Sequence, residues 1–530
     1  MTVKGTLLSR YYPRLIIGGV IALFIGISLF FRIAIPYDQV FVGDWIKLTG
    51  IDAYFHMRLV DTMAHSFPHI TYFDPYFIYP DGRFVGGMTF FAWFVSGIAW
   101  IVGLGSPSAH TIDMVGVYLP PVLAALAVIP VYFIGKTLFG RGAGIIAAGL
   151  IAVLPGEFLG RSILGFTDQH IAEVLFSTVA IMFLVMAIKE NQSLSTHRLI
   201  IYSVLAGIFL GIYLITWMGA LLFVFIFSVY LIIQFIVNHL RRVSSGYLVR
   251  VSMPMLVVAL IFYSRVSVEK ELFWAMILAT FLPLALFGIS YILKRLKPVY
   301  YPLSLFGLGI IAVGIFYTIS PITVSTVLAN FSIFNPSGAS AATTVEMQPL
   351  FSPQGEFTVG LAWAYFTTTL YLVPVAFIAL LWAFVKKKEP NWLLFIIWTL
   401  VILMATIAQR RFAYYLAINM ALLSAYISWQ MIRLFSAIGK TNRKRNQIGY
   451  LGIALAVIVI FFAVFYPNIC QTKETASHVN YAPSDAWQSS LLWMRDNTPE
   501  PLGNSNAYNG YINHSRFCCT VDMYDYKSST

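Results

Sequence analysis

The residues of this chain with the greatest chemical reach lie in Gly165-Phe166-Thr167-Asp168-Gln169-His170, a polar hexad wedged between two long apolar runs. Asp168 and His170 stand two positions apart, so a carboxylate oxygen and a ring nitrogen can reach one divalent cation. Each also has a plainer use: Thr167-Asp168 is good capping sequence for a helix starting near Ile171, and a lone His is more often a satisfied polar residue than a ligand. A second acid, Asp52, lies in Gly50-Ile51-Asp52-Ala53-Tyr54-Phe55-His56-Met57-Arg58, where alone it reads as a solvated loop acid or an N-cap. A third, Glu346, closes Thr343-Thr344-Val345-Glu346. Arg410-Arg411 adds two cations at the end of an apolar run. Arginine at that depth calls for an anionic partner such as phosphate or an acid, or else snorkels to anchor its helix.

The elements that must position these residues are membrane spans. The chain has 530 residues, 59% hydrophobic and 11% charged, against about a quarter charged in soluble domains. A soluble globular protein is excluded. A net charge of +12 would suggest nucleic acid in a soluble protein, but here it fits Lys and Arg in cytoplasmic loops, and no nucleic-acid partner is expected. Three cysteines, Cys470, Cys518 and Cys519, make no disulfide framework and leave the redox compartment open. Lys4, Arg10 and Arg14 precede an apolar run from Leu15 to Pro36 with no small-residue cleavage site after it, which reads as a retained first helix.

Apolar runs of spanning length lie near 15–36, 113–139, 142–159, 171–188, 199–217, 218–239, 250–265, 272–294, 302–322, 357–385, 391–408, 411–436 and 448–467. The expectation is an all-α polytopic membrane protein with about 13 transmembrane helices. The shorter run Met88 to Leu104 reads as interfacial. Lys and Arg crowd alternate loops, as in Lys386-Lys387-Lys388 and Arg443-Lys444-Arg445. The N-terminus is therefore expected in the cytoplasm and the C-terminus outside. That ladder sorts the 37–112 loop with Asp52, the turn with Asp168 and His170, the 323–356 loop with Glu346, and Arg410-Arg411 onto one outer face. The 323–356 loop lacks Lys and Arg and is rich in Ser, Thr, Ala and Pro. It reads as mobile, either with an incidental Glu or as a lid that carries Glu346 to a substrate.

Taken in order, Asp52-Ala-Tyr-Phe-His56, Gly165-Phe-Thr-Asp168-Gln-His170, Tyr213-Leu-Ile-Thr-Trp217-Met-Gly219, Thr343-Thr-Val-Glu346 and Arg411-Phe-Ala-Tyr-Tyr415 resemble the catalytic subunit of oligosaccharyltransferase in its archaeal form. The resemblance extends to about Gly503, including Asn497-Thr498-Pro499-Glu500-Pro501. It implies a GT-C-type glycosyltransferase that moves an oligosaccharide from a dolichol-linked (pyro)phosphate to the Asn amide of an Asn-X-Ser/Thr acceptor. It further implies that Asp52, Asp168 and His170 bind Mn2+ or Mg2+, that Asp52 and Glu346 act on the acceptor amide, and that Arg411 lies near the lipid phosphate. The expected partners are the dolichol-linked oligosaccharide, the acceptor polypeptide and the bilayer, with a multi-pass cell-membrane location and the active site outside.

The family continues into an external domain carrying Trp-Trp-Asp-Tyr-Gly. Here Met523-Tyr524-Asp525-Tyr526-Lys527 is only a faint echo at Asp525. The expected domains are a membrane domain over 1–470 and, over 471–530, a remnant or start of an external domain that is truncated at its C-terminal side. Asn513-His514-Ser515 is itself an acceptor sequon. The competing readings are a GT-C transferase with another acceptor, and a lipid-linked oligosaccharide flippase or other transporter. A transporter should carry ionisable residues near the middle of its spans, and the long runs here are almost free of them.

Overall fold

The computed structural model describes residues 3–43, 45–75, 81–85, 89–190, 196–217, 219–266, 270–336, 338, 341, 343–439, 443–479 and scattered positions up to 497. Asp525, the Cys518-Cys519 pair and the sequon at Asn513 lie outside the described residues. Helices dominate because hydrocarbon offers no partner to a backbone N–H or C=O, so a spanning segment must satisfy its own backbone. Among the described residues, twelve helices are long and apolar enough to cross a membrane.

The count differs from about thirteen at one place. The run 142–159 is helical only over Arg141–Ala152, twelve residues, or about 18 Å against a hydrocarbon core of roughly 30 Å. Leu154-Pro155-Gly156 ends it. Gly156 takes φ +73°, and a Cβ there would stand 2.6 Å from the Tyr365 Cα. The irregular backbone after the helix is buried, as non-helical backbone among membrane spans must be. The run near Met88 to Leu104 forms the short helix Thr89–Val102.

The 323–356 segment also departs from the irregular loop expected. Pro321–Asn330 is helical, and 3-10 turns follow at Phe331–Phe334 and Val345–Met347. Its far end is tied by Leu350 N–H to Ile407 O at 3.2 Å and by Arg410 N–H to Gln348 O at 2.9 Å.

The chain divides into two compact units. The first comprises Met1–Ser28, Ala125–Leu159 and Glu173–Thr472. Its packing relies on small residues, because between lipid-immersed helices the gain comes from close backbone approach. A Cβ on Gly207, in the Thr196–Thr216 helix, would sit 2.5 Å from Met255 O and 2.9 Å from Val258 Cβ on the Gly246–Tyr263 helix. The carbonyl cannot turn aside, so Gly207→Ala must push the helices apart. The expected cost is about 1–3 kcal/mol, read as a lower unfolding midpoint of purified protein. An unchanged midpoint would show that the two helices do not approach so closely. Polar anchors finish the unit, including Trp392 Nε1–H to Leu138 O at 3.0 Å and Asn419 Nδ2–H to Thr399 Oγ1 at 3.0 Å.

The second unit comprises Leu29–Ala124, Gly160–Ala172 and Lys473–Thr530. Its helices Ile51–Ser66 and Thr89–Val102 are joined by Ser96 Oγ–H to Val60 O at 2.8 Å. Two small hairpins pair Phe41–Val42 with Trp45–Ile46 and Phe73–Asp74 with Arg83–Phe84. A buried Arg58–Asp74 ion pair supports the second hairpin.

Candidate active site

The hexad is a tightly held turn of the second unit. Leu164 N–H donates to Arg32 O at 3.0 Å, Gly165 N–H to Val117 O at 3.2 Å, and Thr49 N–H to Gly165 O at 3.1 Å. Thr167 Oγ1–H reaches Gly116 O at 2.9 Å, and Tyr481 O–H reaches Leu164 O at 3.2 Å. Gly165 takes φ +83°, a conformation any side chain would strain. Beneath the turn, the buried Arg32 donates from Nε to Ser162 Oγ at 2.9 Å. The backbone is thus fixed up to the residue before Asp168, and the helix His170–Glu190 begins two residues after it.

Asp168 is buried, 3% exposed. Its Oδ1 accepts from Gln169 N–H at 2.6 Å and faces His56 Nε2 at 3.2 Å, while Oδ2 faces His170 Nε2 at 3.3 Å. Burial pushes the carboxyl pKa up. His170, His56 and Arg161 outweigh that effect and hold it well below the usual carboxylate range. The group is therefore an anion throughout the working pH range. His56 is backed edge-on by Phe91, centroids 5.6 Å apart.

The structure thus brings Asp168 and His170 together and adds His56. Asp52 is exposed on the first turn of the Ile51–Ser66 helix, whose N-cap is Gly50, so Asp52 is not the cap. It lies one turn before His56 on the same helix face. Among the described residues, no group of three or more His, Cys, Asp and Glu side chains is drawn together as a ready-made metal cage. The donor chemistry at Asp168 nevertheless fits a cation. An ionised oxygen and an imidazole nitrogen 3.3 Å apart are placed as neighbouring ligands of one divalent ion would be.

The other two expected residues belong to the first unit. Glu346 lies half-buried in the turn Val345–Met347, and Arg411 half-buried in the turn Arg410–Phe412. The Arg410 N–H to Gln348 O bond makes these two turns neighbours. The Nε atoms of Arg410 and Arg411 are buried without a hydrogen-bond partner among the described residues. The Arg411 guanidinium lies 5.1 Å from the Phe412 ring centroid. A cation held by an aromatic face with a donor to spare suits an anionic ligand.

Three residues escaped the sequence reading. His56 carried a signal, since it stands four positions after Asp52 on one helix. Arg161, which lowers the Asp168 pKa, is a lone cation between apolar runs, and its spacing from Asp168 carries no motif. Glu173 was not singled out at all, because it lies inside an apolar run, yet it is fully buried and accepts hydrogen bonds from Tyr414 and Tyr415.

Comparison with known proteins bears on these residues. Residues 23–472 match the family described as oligosaccharyl transferase STT3, N-terminal. The chain is 29% identical over 509 residues to dolichyl-phosphooligosaccharide-protein glycotransferase 3 of Archaeoglobus fulgidus, covering 91% of this chain and 58% of that one. Its fold is similar to archaeal oligosaccharyltransferase AglB from Archaeoglobus fulgidus in complex with an inhibitory peptide and a dolichol-phosphate. The TM-score is 0.84 at 26% identity, over 96% of this chain and 60% of that one. An oligosaccharyltransferase structure from the same organism, in complex with Zn and sulfate, matches with a TM-score of 0.67 at 25% identity, over 93% and 57%. The chain spans less than two thirds of the length of these relatives. Its fold is an all-α polytopic membrane fold of the GT-C type. With most of its length matched by that family, the chain belongs to the oligosaccharyl transferase STT3 family.

Proposed function

We propose that the chain supplies the membrane-embedded catalytic part of an oligosaccharyltransferase, moving an oligosaccharide from a dolichol-linked (pyro)phosphate to Asn in Asn-X-Ser/Thr acceptors. The observation that carries this is the Asp168 anion held between His56 and His170 in a pinned turn, in a protein similar to an enzyme solved with dolichol-phosphate and a peptide.

The chemical difficulty is the acceptor. An amide nitrogen is a weak nucleophile because its lone pair is conjugated with the carbonyl. Asp52 and Glu346 are the carboxylates assigned to accept its two N–H bonds, which weakens that conjugation and orients the nitrogen. Arg411 pairs with the phosphate of the lipid-linked donor, holding the leaving group and its growing negative charge. Asp168 and His170, with Asp52, are assigned to hold Mn2+ or Mg2+, and the imidazole among them favours Mn2+. When bound, the cation supplies charge neutralisation at the departing phosphate. His56 keeps Asp168 in place from the opposite side.

The test is transfer itself. Protein in bilayers, joined to the remaining length found in its relatives, is incubated with a dolichol-linked glycan, Mn2+ and an Asn-X-Thr peptide. Glycopeptide is expected, and a Gln-X-Thr peptide should give none. No product from folded protein would remove the assignment.

The same proposal puts the protein in the cell membrane with its site on the external face. Thr343 is exposed, so Thr343→Cys in a cysteine-free background should react with an impermeant thiol reagent added outside intact cells. Labelling only after the membrane is opened would reverse the orientation.

A further inference from the structure

Glu173 is fully buried within the first unit, and its Oε2 accepts from Tyr414 O–H at 3.0 Å and from Tyr415 O–H at 2.7 Å. Tyr415 has one hydroxyl proton, committed to the carboxylate, so at 3.1 Å it is Tyr213 O–H that donates to the Tyr415 oxygen. The result is a directed relay of hydrogen bonds from Tyr213 through Tyr415 to Glu173, joined by Tyr414.

A buried carboxylate is costly, and a well-packed apolar side chain would serve stability as well or better. The placement of the donors points to another use. Tyr414 and Tyr415 are consecutive on the Ala413–Gly439 helix and leave it about 100° apart, yet both end on one oxygen. Two such bonds fix the rotation of the helix about its axis at its first turn. Arg411 stands three and four residues upstream, in the 3-10 turn that feeds this helix. Trp217 closes the same cluster, its ring 6.3 Å from both Phe412 and Tyr415.

We infer that Glu173 is a positioning residue which, through Tyr414 and Tyr415, sets the direction in which Arg411 presents its guanidinium to the lipid phosphate. The inference rests on the reading of Arg411 given above. Its sign separates it from simple electrostatics. Deleting a carboxylate close to an anion site should tighten anion binding by charge alone, whereas losing the positioning should weaken it.

The experiment measures the binding of radiolabelled dolichyl phosphate to the membrane-embedded protein, with no acceptor needed. Glu173→Leu, close in size and without an acceptor, is expected to weaken binding about tenfold. Glu173→Gln keeps an acceptor oxygen and is expected to stay within about threefold of wild type, whereas a charge effect would make both variants bind more tightly. Tyr415→Phe, which removes one hydroxyl, is expected to weaken binding and stands in should Glu173→Leu fail to fold. Combined with Arg411→Ala, Glu173→Leu should add nothing, since there is no guanidinium left to direct. If Arg411→Ala itself leaves binding unchanged, the phosphate role of Arg411 is wrong and this inference goes with it. If Arg411→Ala weakens binding while Glu173→Leu and Tyr415→Phe match or exceed wild type, or the double variant is additive, the positioning role alone is overturned.

Discussion

Asp168→Asn is expected to lower glycan transfer by about a thousandfold, the scale of losing one charged group from a preorganised site. The substitution keeps size and an oxygen for Gln169 N–H, so the turn, held by backbone bonds from Thr49, Leu164 and Gly165, should persist. What disappears is the anion that His56 and His170 both face. A neutral amide offers a cation a weaker ligand and leaves two imidazoles around a group without charge. Raised Mn2+ should recover part of the activity, because the remaining donors still bind weakly. Transfer rates across a Mn2+ titration decide the matter. Wild-type activity in Asp168→Asn would remove Asp168 from the mechanism.

The second large effect is expected at Arg411. Arg411→Ala should reduce kcat/KM for the lipid-linked donor by about a hundredfold, with the KM for the acceptor peptide little changed. A charge pair held away from bulk water is worth about 2–5 kcal/mol when one partner is truncated. Arg411→Lys should recover only part, since a lysine brings a point charge without the planar fork that grips two phosphate oxygens. A matching rise in both KM values would mean that the substitution had loosened the protein rather than the donor site.

Much of this was legible in the sequence. The Asp168-Gln169-His170 pair stood out because polar residues between apolar runs have no packing reason to be there, and the fold class followed from run lengths that a bilayer dictates. The run 142–159 misled because composition cannot show where a helix stops. Pro155-Gly156 ended it, and Gly156 had to approach Tyr365 more closely than a side chain permits. The 323–356 segment misled in the opposite sense, since Ser, Thr and Ala read as loop but also occur in the helix Pro321–Asn330. His56 was within reach through its spacing from Asp52. Glu173 was not, because the tyrosines that satisfy it are more than two hundred residues away in sequence, a pairing only tertiary structure reveals.

The central claim is that the turn around Asp168 holds the divalent cation used in transfer. Electron paramagnetic resonance of Mn2+ titrated into purified, membrane-embedded protein tests it most directly, because bound Mn2+ loses the sharp spectrum of the free ion. The account predicts one Mn2+ bound per wild-type molecule, and a free-ion spectrum at the same concentration in Asp168→Asn and His170→Ala. Equal binding by wild type and both variants, or no binding by wild type, would contradict it.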